Sequence, residues 1–137
     1  MNQHIYLRAY MAGIVVPTIF LLVVATVFTI ARYIYNVPVP VERVIVFPMA
    51  VVPNAWGLWN ILFVALRSRW QLSIGLHGAL LPILLAPLGI VVASLLNFPI
   101  PAFAAHAFLI AAPVALIVYY FAWKYLVGFL NRVQEIA

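Results

Sequence analysis

Polar residues along this chain fall in short clusters, and between them run four apolar segments, residues 9–31, 44–66, 72–96 and 102–123. Each exceeds the roughly 20 helical residues that cross about 30 Å of hydrocarbon. The pattern predicts an all-α, polytopic membrane protein. Its expected form is a four-helix up-down transmembrane bundle with proline-kinked helices at about 9–33, 44–67, 72–96 and 102–130, making a single transmembrane domain over residues 1–137. The first segment is too long for the apolar part of a signal peptide and leads to no small-residue cleavage site, so it is expected to be retained as a helix.

The breaks carry turn chemistry. The first and third helices run into Asn36-Val-Pro-Val-Pro and Asn97-Phe-Pro-Ile-Pro, where proline enforces a short extended path. Shared turn chemistry or a duplicated hairpin would each produce this likeness. The second helix starts somewhere between residues 44 and 48, and the tight stretch 67–71 makes the second and third helices antiparallel neighbours. Residues 126–137 mix apolar with polar side chains, as expected of a fourth helix running on past the membrane.

Composition narrows the classes of protein. Hydrophobic residues are 69% of the chain and charged residues 7%, too few to surround a water-soluble core. There is no cysteine, which removes disulfides, thiolate metal sites and thiol nucleophiles. The net charge of +5 does not mark a nucleic-acid partner, because the basic residues sit at helix ends and form no contiguous patch. They read as topology signals. With alternating helices, Arg8, Arg67, Arg69, Lys124 and Arg132 share one side and Arg32 and Arg43 the other, which places both termini in the cytoplasm of a bacterial inner membrane. Tyr6, Tyr10, Trp70, Trp123 and Tyr125 flank the inner boundary and Tyr33 and Tyr35 the outer one, at headgroup level.

Candidate chemistry is confined to a few buried groups. Pro17, Pro53, Pro82, Pro87 and Pro113 lie within the predicted helices, and each frees the carbonyl four residues upstream. Helical spacing puts Met49, Pro53, Trp56 and Asn60 on one stripe of the second helix, with Asn54 and Trp59 elsewhere. An asparagine in hydrocarbon needs partners, either on another helix or in a ligand. His77 shares a depth with Asn60 and is a candidate for bonding to it. His106 lies near the other side, about 20 Å away along the membrane normal at 1.5 Å per residue, which excludes bis-histidine haem ligation. Single-histidine ligation of a haem or chlorin by His77 or His106 is the remaining option, and no cofactor is expected. Gly75, Gly78, Ala86, Gly89 and Ala93 form a small-residue stripe on the third helix, the expected packing face.

These features favour a non-enzymatic small subunit or accessory component of a membrane complex, working through intramembrane contacts with other subunits or with itself. The alternative is an oligomeric transporter or channel with a pathway near the midplane prolines and Asn54, Asn60 and His77. No acidic residue lies between Arg8 and Arg32, so the first-helix glutamate on which small four-helix drug exporters rely is absent. Catalysis is disfavoured because Asn, His and Tyr form no acid/base pair at one depth.

Overall fold

The computed structural model describes residues 3–38, 49–97, 99 and 102–136, and among these every regular element is helical. Helix α1 is Ile5–Tyr33, α2 is Val52–Trp70 and α3 is Ile74–Leu95. Helix α4, Ala104–Phe121, passes directly into a π-helical stretch, Ala122–Val127, and then into α5, Gly128–Val133. The last three form one continuous rod. Three stretches are long and apolar enough to cross a membrane: Ile5–Tyr33, Ile74–Leu95 and His106–Val133. The described part of α2 is not among them, since Asn54, Asn60, Arg67 and Arg69 dilute its apolar residues. The expected start of the second helix, between residues 44 and 48, lies outside the described residues.

Helix boundaries differ from expectation where side chains tolerate helix beyond the apolar run. Helix α1 begins at Ile5, four residues before the apolar segment, and its 29 residues extend about 43 Å. Helix α2 continues through Arg67-Ser-Arg-Trp70, which was expected to be loop. Arginines in a last turn complement the negative end of the helix dipole, so the turn is stable there. Gln71, at φ 45°, stops the helix and leaves three residues before α3. Pro53, expected near mid-helix, stands in the first turn of α2, where a missing N–H breaks no helix bond. Pro17, Pro82, Pro87 and Pro113 are inside their helices.

Ser73 caps α3, its Oγ accepting the Leu76 N–H at 3.3 Å. It is the side-chain cap among the described helices, and Ser73→Ala is expected to cost about 0.5–1 kcal/mol, read as a lower melting temperature by circular dichroism in detergent. Asn36 and Asn97, after α1 and α3, both adopt left-handed backbone, with φ 57° and 55°. Asparagine enters that region at little cost, so turn chemistry by itself accounts for the likeness of the two loops.

The C-terminus departs from expectation. Helix α5 ends in a Schellman turn, with Glu135 left-handed, its N–H bonded to Arg132 O at 3.0 Å and the Ile136 N–H to Asn131 O at 2.9 Å. The turn sends Ile136 back into the protein, where it is 1% exposed and packs with Ala9 and Val64. The helix thus continues to Val133, and the residues after it pack back onto the bundle. Arg67 donates to the Ile136 carbonyl and Arg8 to Gln134 O at 3.5 Å, so the start of α1, the end of α2 and the end of α5 meet at one end of the molecule.

A second buried cluster joins Trp56, Leu81, Leu85, Trp123 and Val127 across α2, α3 and the π-helical stretch. Outside these clusters the surface is apolar, with Leu95, Leu109 and Ile110 each more than 70% exposed. Exposed leucine and isoleucine in such number suit lipid as the solvent, not water. This is the construction of a helical membrane protein.

Candidate functional site

The buried polar groups come from four elements and close on one another. Asn60 of α2 is fully buried, and its Nδ2 donates to Ala9 O of α1 at 2.7 Å and to Asn131 Oδ1 of α5 at 2.8 Å. Asn131 Nδ2 returns a bond to Asn60 Oδ1 at 3.1 Å. Two primary amides facing each other satisfy donor and acceptor at once, so the pair ties α2 to α5 while Ala9 ties in α1.

At the adjoining residue of α2, α2 and α3 make a second reciprocal clasp. Trp59 Nε1–H donates to His77 O at 2.6 Å, and His77 Nε2–H donates to Trp59 O at 2.8 Å. The acceptor is a carbonyl, so Nε2 carries a hydrogen. The indole and imidazole stack with centroids 4.6 Å apart and an interplanar angle of 20°. Phe63 and Trp123 cover the imidazole from 5.2 and 5.9 Å. The expected His77–Asn60 bond does not form, because each already has nearer partners on its own side of the helix.

The aromatic cluster continues upward. Trp56 lies 5.0 Å from Tyr119 and 5.3 Å from Trp123, centroid to centroid, and its Nε1–H donates to Tyr119 OH at 3.3 Å. Trp123 is fully buried, and its Nε1 is the buried side-chain donor left without a hydrogen-bond acceptor among the described residues. A π-helical turn adds a residue per turn and so re-aims the side chains that follow it. Here that stretch begins at Ala122 and delivers Trp123 and Val127 to the interior.

The glycines show where these large rings find room. A Cβ on Gly78 would overlap Trp123, and one on Gly75 would come within 2.8 Å of Tyr120. The small-residue stripe was expected to let backbones approach. At Gly75 and Gly78 the space is instead filled by aromatic rings from the last helix, while Ala86, Gly89 and Ala93 are half-buried. Close backbone approach occurs between α1 and α2, where a Cβ on Gly13 would lie 2.6 Å from Trp56 O and 2.8 Å from Gly57 Cα.

The remaining sequence candidates fall outside this core. Asn54 is exposed, accepts from Tyr10 OH and donates from Nδ2 to Ala50 O at 2.7 Å. His106 is exposed on α4, remote from His77. At His77 the Nε2 is given to the Trp59 carbonyl, and the ring lies against Trp59, Phe63 and Trp123. No three His, Cys, Asp or Glu side chains converge among the described residues. The residues that sequence reasoning missed are Asn131, Tyr119 and Trp123. Trp123, Val127 and Asn131 recur every four residues, a stripe that marks one face of a helix.

Two grooves touch the edge of this polar core, one at Trp59 and one at Asn131. A further groove, about 500 Å³, lies between Pro82, Ala86 and Ile90 of α3 and Phe108, Ala112 and Leu116 of α4, and is almost wholly apolar. Comparison with family models, curated proteins and solved structures gives no match.

Proposed function

We propose that this chain is a non-enzymatic component of the membrane, a small subunit or accessory protein that acts through lateral helix contacts within a larger assembly. The single observation that carries the reading is the closure of the polar core: Asn60, Asn131, His77 and Trp59 spend their hydrogen bonds on each other and on helix carbonyls. A transport pathway needs polar groups presented to a cavity, and a catalytic site needs them presented to a substrate. Groups that are fully satisfied internally serve instead to fix one bundle geometry.

The bundle in this reading is four-helix and up-down with proline-kinked helices. Supporting it, Ala9 and Gly13 of α1 meet Asn60 and Trp56 of α2, Trp59 meets His77, and Ile90 shares a groove with Phe108, so numbers rise on one helix as they fall on the next. The basic residues at the end formed by Arg8, Arg67, Lys124 and Arg132 make that end cytoplasmic. What remains for partners is the broad apolar exterior of α1, α3 and α4.

The test is purification of the full-length, tagged chain from its native membrane in mild detergent. Other membrane subunits at fixed stoichiometry are the expected result. A homogeneous homo-oligomer that also carries ion or solute flux in liposomes, lost in Asn60→Leu, would favour the transporter reading and overturn this one.

A further inference from the structure

Three of the seven basic side chains converge on one pocket. Arg67 at the end of α2, Lys124 in the π-helical stretch and Arg132 in α5 line a cavity of about 240 Å³ together with Phe63, Ile74 and Asn131. We propose that this pocket binds the phosphate headgroup of an anionic phospholipid, with Phe63 and Ile74 receiving the adjoining apolar part of the lipid.

The charge balance is one-sided. The chain holds two acidic residues, Glu42 and Glu135, and none of the three cations has a carboxylate partner among the described residues. Like charges brought together near low-dielectric surroundings repel, and an anion between them removes that cost. Arg67 and Lys124 are also held in place by neighbours that leave donors unused. Arg67 gives one N–H to the Ile136 carbonyl and retains four others. The Lys124 ammonium lies 5.7 Å from the centroid of Tyr120 and 5.3 Å from that of Tyr125, contacts that orient it without using its hydrogens. Arg132 folds back along its helix, its Nη1 3.7 Å from where a Cβ on Gly128 would stand.

Position selects lipid over a soluble anion. The pocket lies where α2 ends and α3 begins, and exposed Trp70, the last residue of α2, and Tyr125, next in sequence to Lys124, are aromatics of the kind that sit at headgroup level. A phosphate presented there is already at membrane concentration. The first turn of α3 opens at Ile74 on the rim, which adds the positive end of a helix dipole. Basic pockets between membrane helices are suited to such headgroups on physical grounds. The inference needs only that the helices lie in a bilayer and does not depend on the partner reading above.

Native mass spectrometry of the full chain released from dodecyl maltoside, titrated with phosphatidylglycerol, phosphatidylcholine or inorganic phosphate, tests it. Phosphatidylglycerol is expected to bind at least about tenfold tighter than phosphatidylcholine. Removing a cation should weaken it roughly fivefold, so Lys124→Gln with Arg132→Gln weakens it about 25-fold. Arg69→Gln, at the same end but outside the pocket, should bind as the parent does. Lys124→Arg with Arg132→Lys preserves charge and should restore binding, which separates lost recognition from lost folding. Equal affinity for phosphatidylcholine, equal weakening in Arg69→Gln, failure of the charge-preserving pair, or occupation by inorganic phosphate in preference to phosphatidylglycerol would each overturn the proposal.

Discussion

Gly78→Ala is expected to destabilise the folded protein by about 2–3 kcal/mol, the upper part of the range for overpacking a filled interior. The added methyl would occupy the space of Trp123 Cβ, Cγ and Cδ1. Trp123 cannot yield, because it is fully buried with Trp56 at 5.3 Å and His77 at 5.9 Å against its ring. Relief requires α3 to move away from the last helix. Trp123→Ala is the converse change, and its cost of about 2 kcal/mol should fall below that of a water-soluble core. Lipid is as apolar as the interior, so the loss is one of dispersion contacts and not of transfer from water. With both substitutions present the clash vanishes, and the combined loss should be smaller than the sum by about 1–2 kcal/mol. Unfolding in mixed micelles by titration with dodecyl sulfate, followed by far-UV circular dichroism, measures all three. A Gly78→Ala protein within about 0.5 kcal/mol of the parent would mean that the ring does not occupy that space.

The asparagine pair is expected to couple in the same sense and more strongly, with the double variant more stable than either single one. Asn60→Leu strands both hydrogen-bonding groups of Asn131, which is 1% exposed, at a cost of about 1–2 kcal/mol. Asn131→Leu leaves Asn60 its bond to Ala9 O and should cost less, about 1 kcal/mol. When both are leucine, two apolar side chains of similar volume meet, and most of the loss should be recovered. The same titration reads the cycle. Purely additive losses would show that the two amides do not meet, and would remove the main tie between α2 and the end of the chain.

The two predictions concern contacts of different legibility. Asn60 and His77 stand out in sequence because polar groups in hydrocarbon must find partners. Their partners do not stand out, since Asn131 lies beyond the apolar run and the acceptors of His77 and Asn60 are main-chain carbonyls. Every residue carries such a carbonyl, so nothing in the side-chain pattern marks Trp59 O or Ala9 O. Gly78 was legible as small, but not as the seat of an indole. That depends on the packing of α3 against the π-helical stretch, which buries Trp123 on Gly78, whereas its place at the end of the apolar run had put it with the interfacial aromatics. Pro53 was read as a mid-helix break, and its place in a first turn follows from where α2 starts.

Long apolar runs and scarce charge by themselves pointed to helices that can cross a membrane, four by the sequence and three among the described residues, because unpaired backbone groups in hydrocarbon leave few other solutions. Only the tertiary structure decided what the polar minority does. Hydropathy acts residue by residue along the chain, whereas a hydrogen bond needs two groups within about 3 Å, here Asn60 and Asn131, which are 71 positions apart. The gathering of Arg67, Lys124 and Arg132 around one pocket is of the same kind, for it is the packing of helix ends that brings those charges together.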